Sequence, residues 1–228
     1  PEWLKKRRLE AWDTLEGLPQ TPFLKYGLGI LTPLAGMELK ELEQEGTVQI
    51  TAPPEVKVTR KPLDSRIFSS LEKDRLSLMH ASFCTTFLQL EIPKGTVLEQ
   101  PILIQKKIRG KHFLEHLFIS AGRDCSFSVL EVLEGEGELH SGGVEIFLGE
   151  GSSLLFGSTQ NLSPRARSFS ARKAFLEKDS RLEWVTADTG SKTLLSTIHS
   201  FLGGPGAAVY NKMLFFGNND QHFDFNVS

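Results

Sequence analysis

Several side chains in this 228-residue sequence carry chemistry at spacings that invite a site. His112 and His116 lie four apart, the spacing with which a helix offers two imidazoles to one metal ion. The run Lys111-His112-Phe113-Leu114-Glu115-His116-Leu117-Phe118-Ile119 reads instead as a strand. There the pair would share a face about 13 Å apart, too far for one metal, and two surface histidines are expected. Cys125 stands at a turn entering a strand. As a buried thiol it needs no special role, whereas as a cluster or sulfur ligand it would be functional. Cys84 has the same two readings, with the core favoured. Glu134, Glu136 and Glu138 flank Gly135 and Gly137. Paired carboxylates are the equipment of general acid–base chemistry, but this run has the composition of a solvated loop. In Gln221-His222-Phe223-Asp224-Phe225, His222 and Asp224 share one strand face, which suits a proton or metal site. The competing reading is an exposed polar face opposite Phe223 and Phe225. Cys125, His222 and Asp224 are thus the candidate cofactor-binding residues, and no residue is assigned a catalytic or metal-ligating role. No nucleophile elbow, P-loop, dinucleotide glycine loop or HExxH motif is present. Gly203-Gly204-Pro205-Gly206 lacks the Lys-Ser/Thr of a phosphate cradle and reads as a turn.

Composition narrows the classes. Hydrophobic residues make up 39% and charged residues 24%, enough to bury a core, and the formal net charge of −2 gives no basic field for nucleic acid. Two cysteines make neither a disulfide framework nor a zinc site, so a reducing, cytoplasmic setting is expected. No apolar run approaches the roughly 20 residues that span a bilayer, so no membrane partner is expected. Pro1 to Glu10 is charged and lacks the apolar stretch of a signal peptide. The sequence begins at Pro1 and stops at Ser228 within an apparent strand, which suggests a fragment of a longer protein.

The elements that must hold these residues change character along the chain. A helix opens it, with Leu4, Ala11, Leu15 and Leu18 on one stripe and Lys5, Lys6, Arg7 and Arg8 away from it; Pro19 and Pro22 stop it. A connector follows to about Gly36, then an acidic helical turn over Met37 to Glu45, a strand over Thr47 to Thr51 and a helix over Leu63 to Ala81. Residues 1–82 therefore read as a helical and connector region and 83–228 as a β core. In that core, Asp124-Cys125-Ser126-Phe127, Gly151-Ser152-Ser153-Leu154, Asp179-Ser180-Arg181-Leu182 and Gly206-Ala207-Ala208-Val209 are turn-then-strand units offset by 27, 28 and 27 residues. A second β-type run lies between successive units: Val144/Ile146/Leu148, Ala174/Leu176 and Leu194 to Leu202. Two strands in a fixed period predict a solenoid of facing parallel sheets. An antiparallel sandwich with regular turns is the alternative.

The order of these segments resembles the SufB/SufD family of iron–sulfur cluster assembly. Pro1-Glu2-Trp3-Leu4 with Arg8, Ala11 and Leu18-Pro19 is similar to the family's opening helix. Leu88-Gln89-Leu90-Glu91-Ile92-Pro93-Lys94-Gly95-Thr96 with Glu99-Gln100-Pro101-Ile102 is similar to its entry into the core. Val129-Leu130-Glu131, Thr159-Gln160-Asn161, Trp184 with Gly190-Ser191, Leu202-Gly203-Gly204-Pro205-Gly206-Ala207 and Gln221-His222-Phe223-Asp224 follow in the family's order. The resemblance implies a mostly β fold, a right-handed parallel β-helix with a short helical N-terminal region. It also implies a non-catalytic scaffold, SufD-like because the opening is short and the early cysteine cluster of many SufB chains is absent. The implied partners are a SufB-like paralogue and a SufC-like ABC ATPase, with no cofactor held tightly by this chain and an iron–sulfur cluster formed in the complex. The family's later coils and C-terminal helices lie beyond Asp224, so no cluster ligand is carried over. The unpaired last strand invites end-to-end pairing and leaves a homodimer among the expected assemblies. The alternative is a carbohydrate-active β-helix lyase or hydrolase, for which Arg165, Arg167, Arg172 and Lys173 are the one basic group and no aspartate trio accompanies them.

Overall fold

The computed structural model describes residues 1–19, 23–26, 30–33, 44–70 and 73–228. The chain opens with helix α1 (Glu2–Gly17), followed by the antiparallel strands β1 (Phe23–Tyr26) and β2 (Ile30–Pro33). The connector reading had no strand there. Next come β3 (Gly46–Thr51), β4 (Lys57–Thr59) and helix α2 (Arg75–Phe83). Eleven further strands complete the chain: β5 (Thr86–Ile92), β6 (Ile102–Ile108), β7 (His112–Ala121), β8 (Ser126–Gly135), β9 (Leu139–Leu148), β10 (Ser153–Leu162), β11 (Arg167–Leu176), β12 (Arg181–Asp188), β13 (Thr193–Leu202), β14 (Ala208–Phe215) and β15 (His222–Val227). The acidic turn expected over Met37 to Glu45 lies mostly outside the described residues.

From β5 onward, successive strands alternate between two sheets and pair in parallel with the strand one coil away. One sheet has the order β14-β12-β10-β8-β6-β3 and the other β15-β13-β11-β9-β7-β5-β4. This is a β-solenoid of about 5 turns, and the parallel ladders exclude the hairpin sandwich. The sequence offsets are the pairing register: Ser126 pairs with Ser153, Ser153 with Arg181 and Arg181 with Ala208. The N-terminal strands β3 and β4 join the two sheets antiparallel, against β6 and β5.

Each repeat turns on a left-handed residue. Gly95, Asp124, Gly151, Asp179 and Gly206 all have φ between 56° and 75°, a region open to glycine and tolerated by aspartate. These corners are laced together along the axis. The amides of Gly95, Asp124, Gly151 and Asp179 donate to the carbonyls of Arg123, Glu150, Lys178 and Pro205 at 2.9–3.0 Å. Gly151→Ala puts a Cβ 2.7 Å from Asp124 Oδ1 on a backbone with φ +70. It is expected to cost about 1–2 kcal/mol, read as a lowered urea midpoint with unchanged m.

Two apolar clusters form. One fills the space between the sheets, with Ile104, Phe127, Val129, Ile146, Phe156, Ala174, Leu182 and Trp184; Phe156 and Trp184 meet edge to face at 5.0 Å. The other lies outside the seven-stranded sheet, where Leu4, Ala11 and Leu15 of α1 and Leu76, Leu78, Met79 and Ala81 around α2 cover Leu114, Phe118, Phe169 and Leu195. The α1 stripe is as expected and Lys5 and Lys6 are exposed, but Arg7 and Arg8 are half-buried against the body. They donate to Ser65 O and Ile67 O and to Cys84 O respectively, because the carbonyls left unpaired at those turns need donors. The second helix is shorter than expected. Phe68 takes a left-handed backbone, φ 61, which cannot propagate a helix. Asp74 then caps a fresh start by accepting from Leu76 N and Ser77 N at 2.9 and 3.1 Å.

Candidate functional site

The seven-stranded sheet carries a buried polar cluster on each face. The inner one begins with Lys106 on β6. Its Nζ lies 2.6 Å from Glu115 Oε1 of β7 and 2.6 Å from Glu131 Oε2 of β8. Only 1% of the lysine side chain is exposed. His140 of β9 sets Nε2 3.5 Å from Glu115 Oε1 and Nδ1 2.9 Å from Ser168 Oγ of β11. Farther along the axis Arg172 of β11 donates to Ser196 Oγ at 2.9 Å and to Ser158 Oγ at 3.3 Å, close to the buried Asp188 of β12. Burial alone would discharge Lys106, but the two carboxylates outweigh it and hold its pKa above the ordinary lysine value. Burial likewise opposes ionisation of Glu115, yet Lys106 and His140 bring its pKa down to about 2. For Asp188 burial wins: its pKa is raised, with Glu131 adding to the rise and Arg172 opposing it.

The outer cluster lies under the helices. His80 of α2 places Nδ1 2.9 Å from Ser141 Oγ and Nε2 3.3 Å from His116 Nδ1. His116 Nε2 is 3.1 Å from Glu145 Oε2, which also accepts from Phe68 N at 2.9 Å. Lys173 donates to Ser70 O. This chain ties a helix, a turn and two strands together beside a cavity of about 30 Å³. Burial, then the neighbouring His116, drives the His80 pKa down to about 3. Two consecutive glycines of β9 make room for both clusters. A Cβ on Gly142 would sit 2.8 Å from Glu115 Oε1, and one on Gly143 would sit 2.2 Å from His116 Nδ1.

The sequence candidates are placed differently. His112 and His116 do share strand β7, but both are buried, 6% and 3% exposed, rather than surface residues, because helices and turns roof that face. Cys125 is a free, buried thiol whose Sγ lies 3.1 Å from Pro93 O, within the inner core. Cys84 is buried beneath the helices, and burial pushes its pKa up. Asp224 is buried and His222 half-buried on β15. β15 and β8 belong to different sheets. Cys125 adjoins β8, three coils before the one that holds β14 and β15, about 14 Å along the axis. The three candidates are therefore not brought together. Among the described residues no three His, Cys, Asp or Glu side chains converge as metal ligands. Glu134, Glu136 and Glu138 are exposed, but only Glu136 and Glu138 lie in a loop; Glu134 is in β8, paired with Lys107 and Asn161 of the neighbouring strands. The inner charges escaped the sequence search, although a signal existed: Lys106 is in phase with Ile102, Ile104 and Ile108, and Glu115 with Phe113 and Leu117.

Residues 103–228 match a protein family described as SUF system FeS cluster assembly, SufBD core domain. The chain is also 23% identical over 139 residues to the iron–sulfur cluster assembly protein SufB of Bacillus subtilis (strain 168). That alignment covers 58% of this chain and 30% of the Bacillus protein, so the chain spans under a third of that relative's length.

Proposed function

This chain belongs to the SufBD core family of the SUF system, and from that premise we propose that it is a non-catalytic scaffold for iron–sulfur cluster assembly. The observation that carries the reading is that the family match covers the coils from β6 onward, the part that forms the solenoid. Within the family we assign it a SufD-like role, which the co-expression experiment below tests. Its partners are then a SufB-like paralogue and a SufC-like ABC ATPase in the cytoplasm, and the cluster is cargo held by the complex. Coils stacked at about 4.8 Å present long, rigid walls suited to lateral partners.

A scaffold also fits the fate of the charged groups. Lys106, Glu115 and Glu131 satisfy one another inside the coil. The basic group a carbohydrate-active enzyme would need is split, because Arg172 reaches Ser158 and Ser196 in the interior whereas its neighbour Lys173 reaches Ser70 outside. Adjacent strand residues face opposite ways, so these two cannot line one groove.

Co-expression of the full-length protein with its SufB-like and SufC-like partners, followed by anaerobic size-exclusion chromatography, tests the reading. Co-elution of all three is the expected result. A folded protein that elutes alone would overturn the scaffold assignment.

A further inference from the structure

Inside the solenoid, past the Lys106 ion pairs, lies a cavity of about 10 Å³ bordered by Glu131, Thr159, Gln160, Arg172 and Asp188. The neighbouring groups are arranged around something. Arg172 Nε and Asp188 Oδ2 are both buried without a hydrogen-bond partner, although the other Arg172 nitrogens are satisfied by Ser158 and Ser196. The two residues are 4% and 2% exposed, so bulk water does not complete them. A buried polar atom left unpaired costs about 1–3 kcal/mol, and an ordered water or ion is one of the ways native proteins complete such atoms.

The atoms fix what that molecule is. Arg172 Nε–H donates and needs an acceptor. Asp188 Oδ2 accepts and needs a donor, and Glu131, paired with Lys106 through Oε2, has further acceptor capacity at the cavity wall. A metal cation serves only the carboxylates, and a halide serves only the arginine. Only a small molecule that both accepts and donates serves all three, and a cavity of about 10–15 Å³ is the size that admits one water. Gln160 is not available to close the gap, since its amide donates to Ser191 Oγ and its carbonyl accepts from Gly190 N.

We infer that this cavity is a site for one internal water, accepting from Arg172 Nε and donating to the carboxylates of Asp188 and Glu131. The site is independent of the scaffold reading. With the water in place, the inner polar groups form one file: Ser168, His140, Glu115, Lys106, Glu131, water, then Arg172 and Asp188, with Ser196 beyond. The file spans strands β6 to β13 and joins an ion-pair network that otherwise breaks between Glu131 and Arg172.

A crystal structure of the full-length protein, grown in rubidium bromide at a resolution that shows ordered water, tests this. The expected result is one spherical peak within hydrogen-bond distance of Arg172 Nε and Asp188 Oδ2, without anomalous signal. Arg172→Met, which removes the donor, is expected to lose the peak, while Asp188→Asn, which keeps an acceptor oxygen, retains it. An empty cavity, a direct Arg172–Asp188 pair, or a rubidium or bromide signal at the position would each overturn the inference. The wild-type structure decides the matter even where Arg172→Met does not fold.

Discussion

Lys106→Met is expected to destabilise the folded chain by about 3–5 kcal/mol at neutral pH, the usual cost of leaving one side of a buried ion pair uncompensated. The methionine fills most of the lysine's volume, so little of the loss comes from a cavity. It comes from Glu115 and Glu131, whose carboxylates each lose a partner at 2.6 Å. The pH dependence separates this mechanism from simple repacking. In the wild type the Glu115 pKa is lowered from 4.5 to about 2. The stability it contributes is present above pH 4.5 and is lost as pH falls from there towards 2. Without Lys106 the largest influence holding Glu115 ionised is gone while burial remains, so Glu115 resists ionisation. The variant's deficit is then largest near pH 7.5 and shrinks on approach to pH 4, where Glu115 takes up a proton. Urea titrations of both proteins at pH 7.5, 6 and 4.5 measure it. A deficit under about 1 kcal/mol at pH 7.5, or one that grows on acidification, would count against the ion-pair account.

The coil architecture could be read from the sequence because its signals are local and repeated. Gly151 and Gly206, with Asp124 and Asp179, are residue types that accept a left-handed corner, and they recur at the offset that the backbone later pairs. The polar clusters could not be read the same way. A strand's alternation says which residues share a face, not whether that face meets water. His116 lies on a face of β7 that would be exposed in a bare solenoid; the long-range packing of the helices and the turn at Phe68 buries it. Lys106 and Glu131 were legible in phase but not in sign: each alternates with inward-facing aliphatic residues, yet a charge in that phase is ordinarily taken to break the pattern. What permits it is complementarity between residues 9 and 25 positions apart, Lys106 with Glu115 and with Glu131, and one coil cannot reveal that. The shortened α2 had a readable cue in Asp74, a strong N-cap type, but the left-handed Phe68 that forces the break has none.

Acidification from pH 7 to pH 5 is expected to weaken the hold of the helical layer on the solenoid, through His80. Its Nδ1 faces Ser141 and its Nε2 faces His116, with the Phe68 ring edge-on at 5.7 Å. Glu145 lies one residue further along the chain of bonds, on the far side of His116. Lys173 borders the same cavity, and Glu115, His140 and Lys106 act through the sheet from its inner face. Burial, the largest influence, holds the ring neutral with a pKa of about 3 against 6.5 when unfolded. A folded-state pKa depressed in this way means that the unfolded chain binds the proton first. Stability is therefore lost as pH falls below 6.5, and the loss continues until about 3. At 1.36 kcal/mol per pH unit the cost reaches roughly 2 kcal/mol by pH 5. The window between pH 6.5 and 5 belongs to His80 rather than to Glu115, whose contribution declines only below 4.5. His80→Gln, which keeps a polar side chain against Ser141 but cannot take up the proton, is expected to flatten that window while lowering stability at pH 7. Hydrogen exchange adds the location: residues 64–83 gain exchange at pH 5, after correction for intrinsic rates, before β9 to β12 do. Equal pH slopes for the two proteins between 7 and 5, or a loss of protection uniform over the whole chain, would remove His80 as the cause.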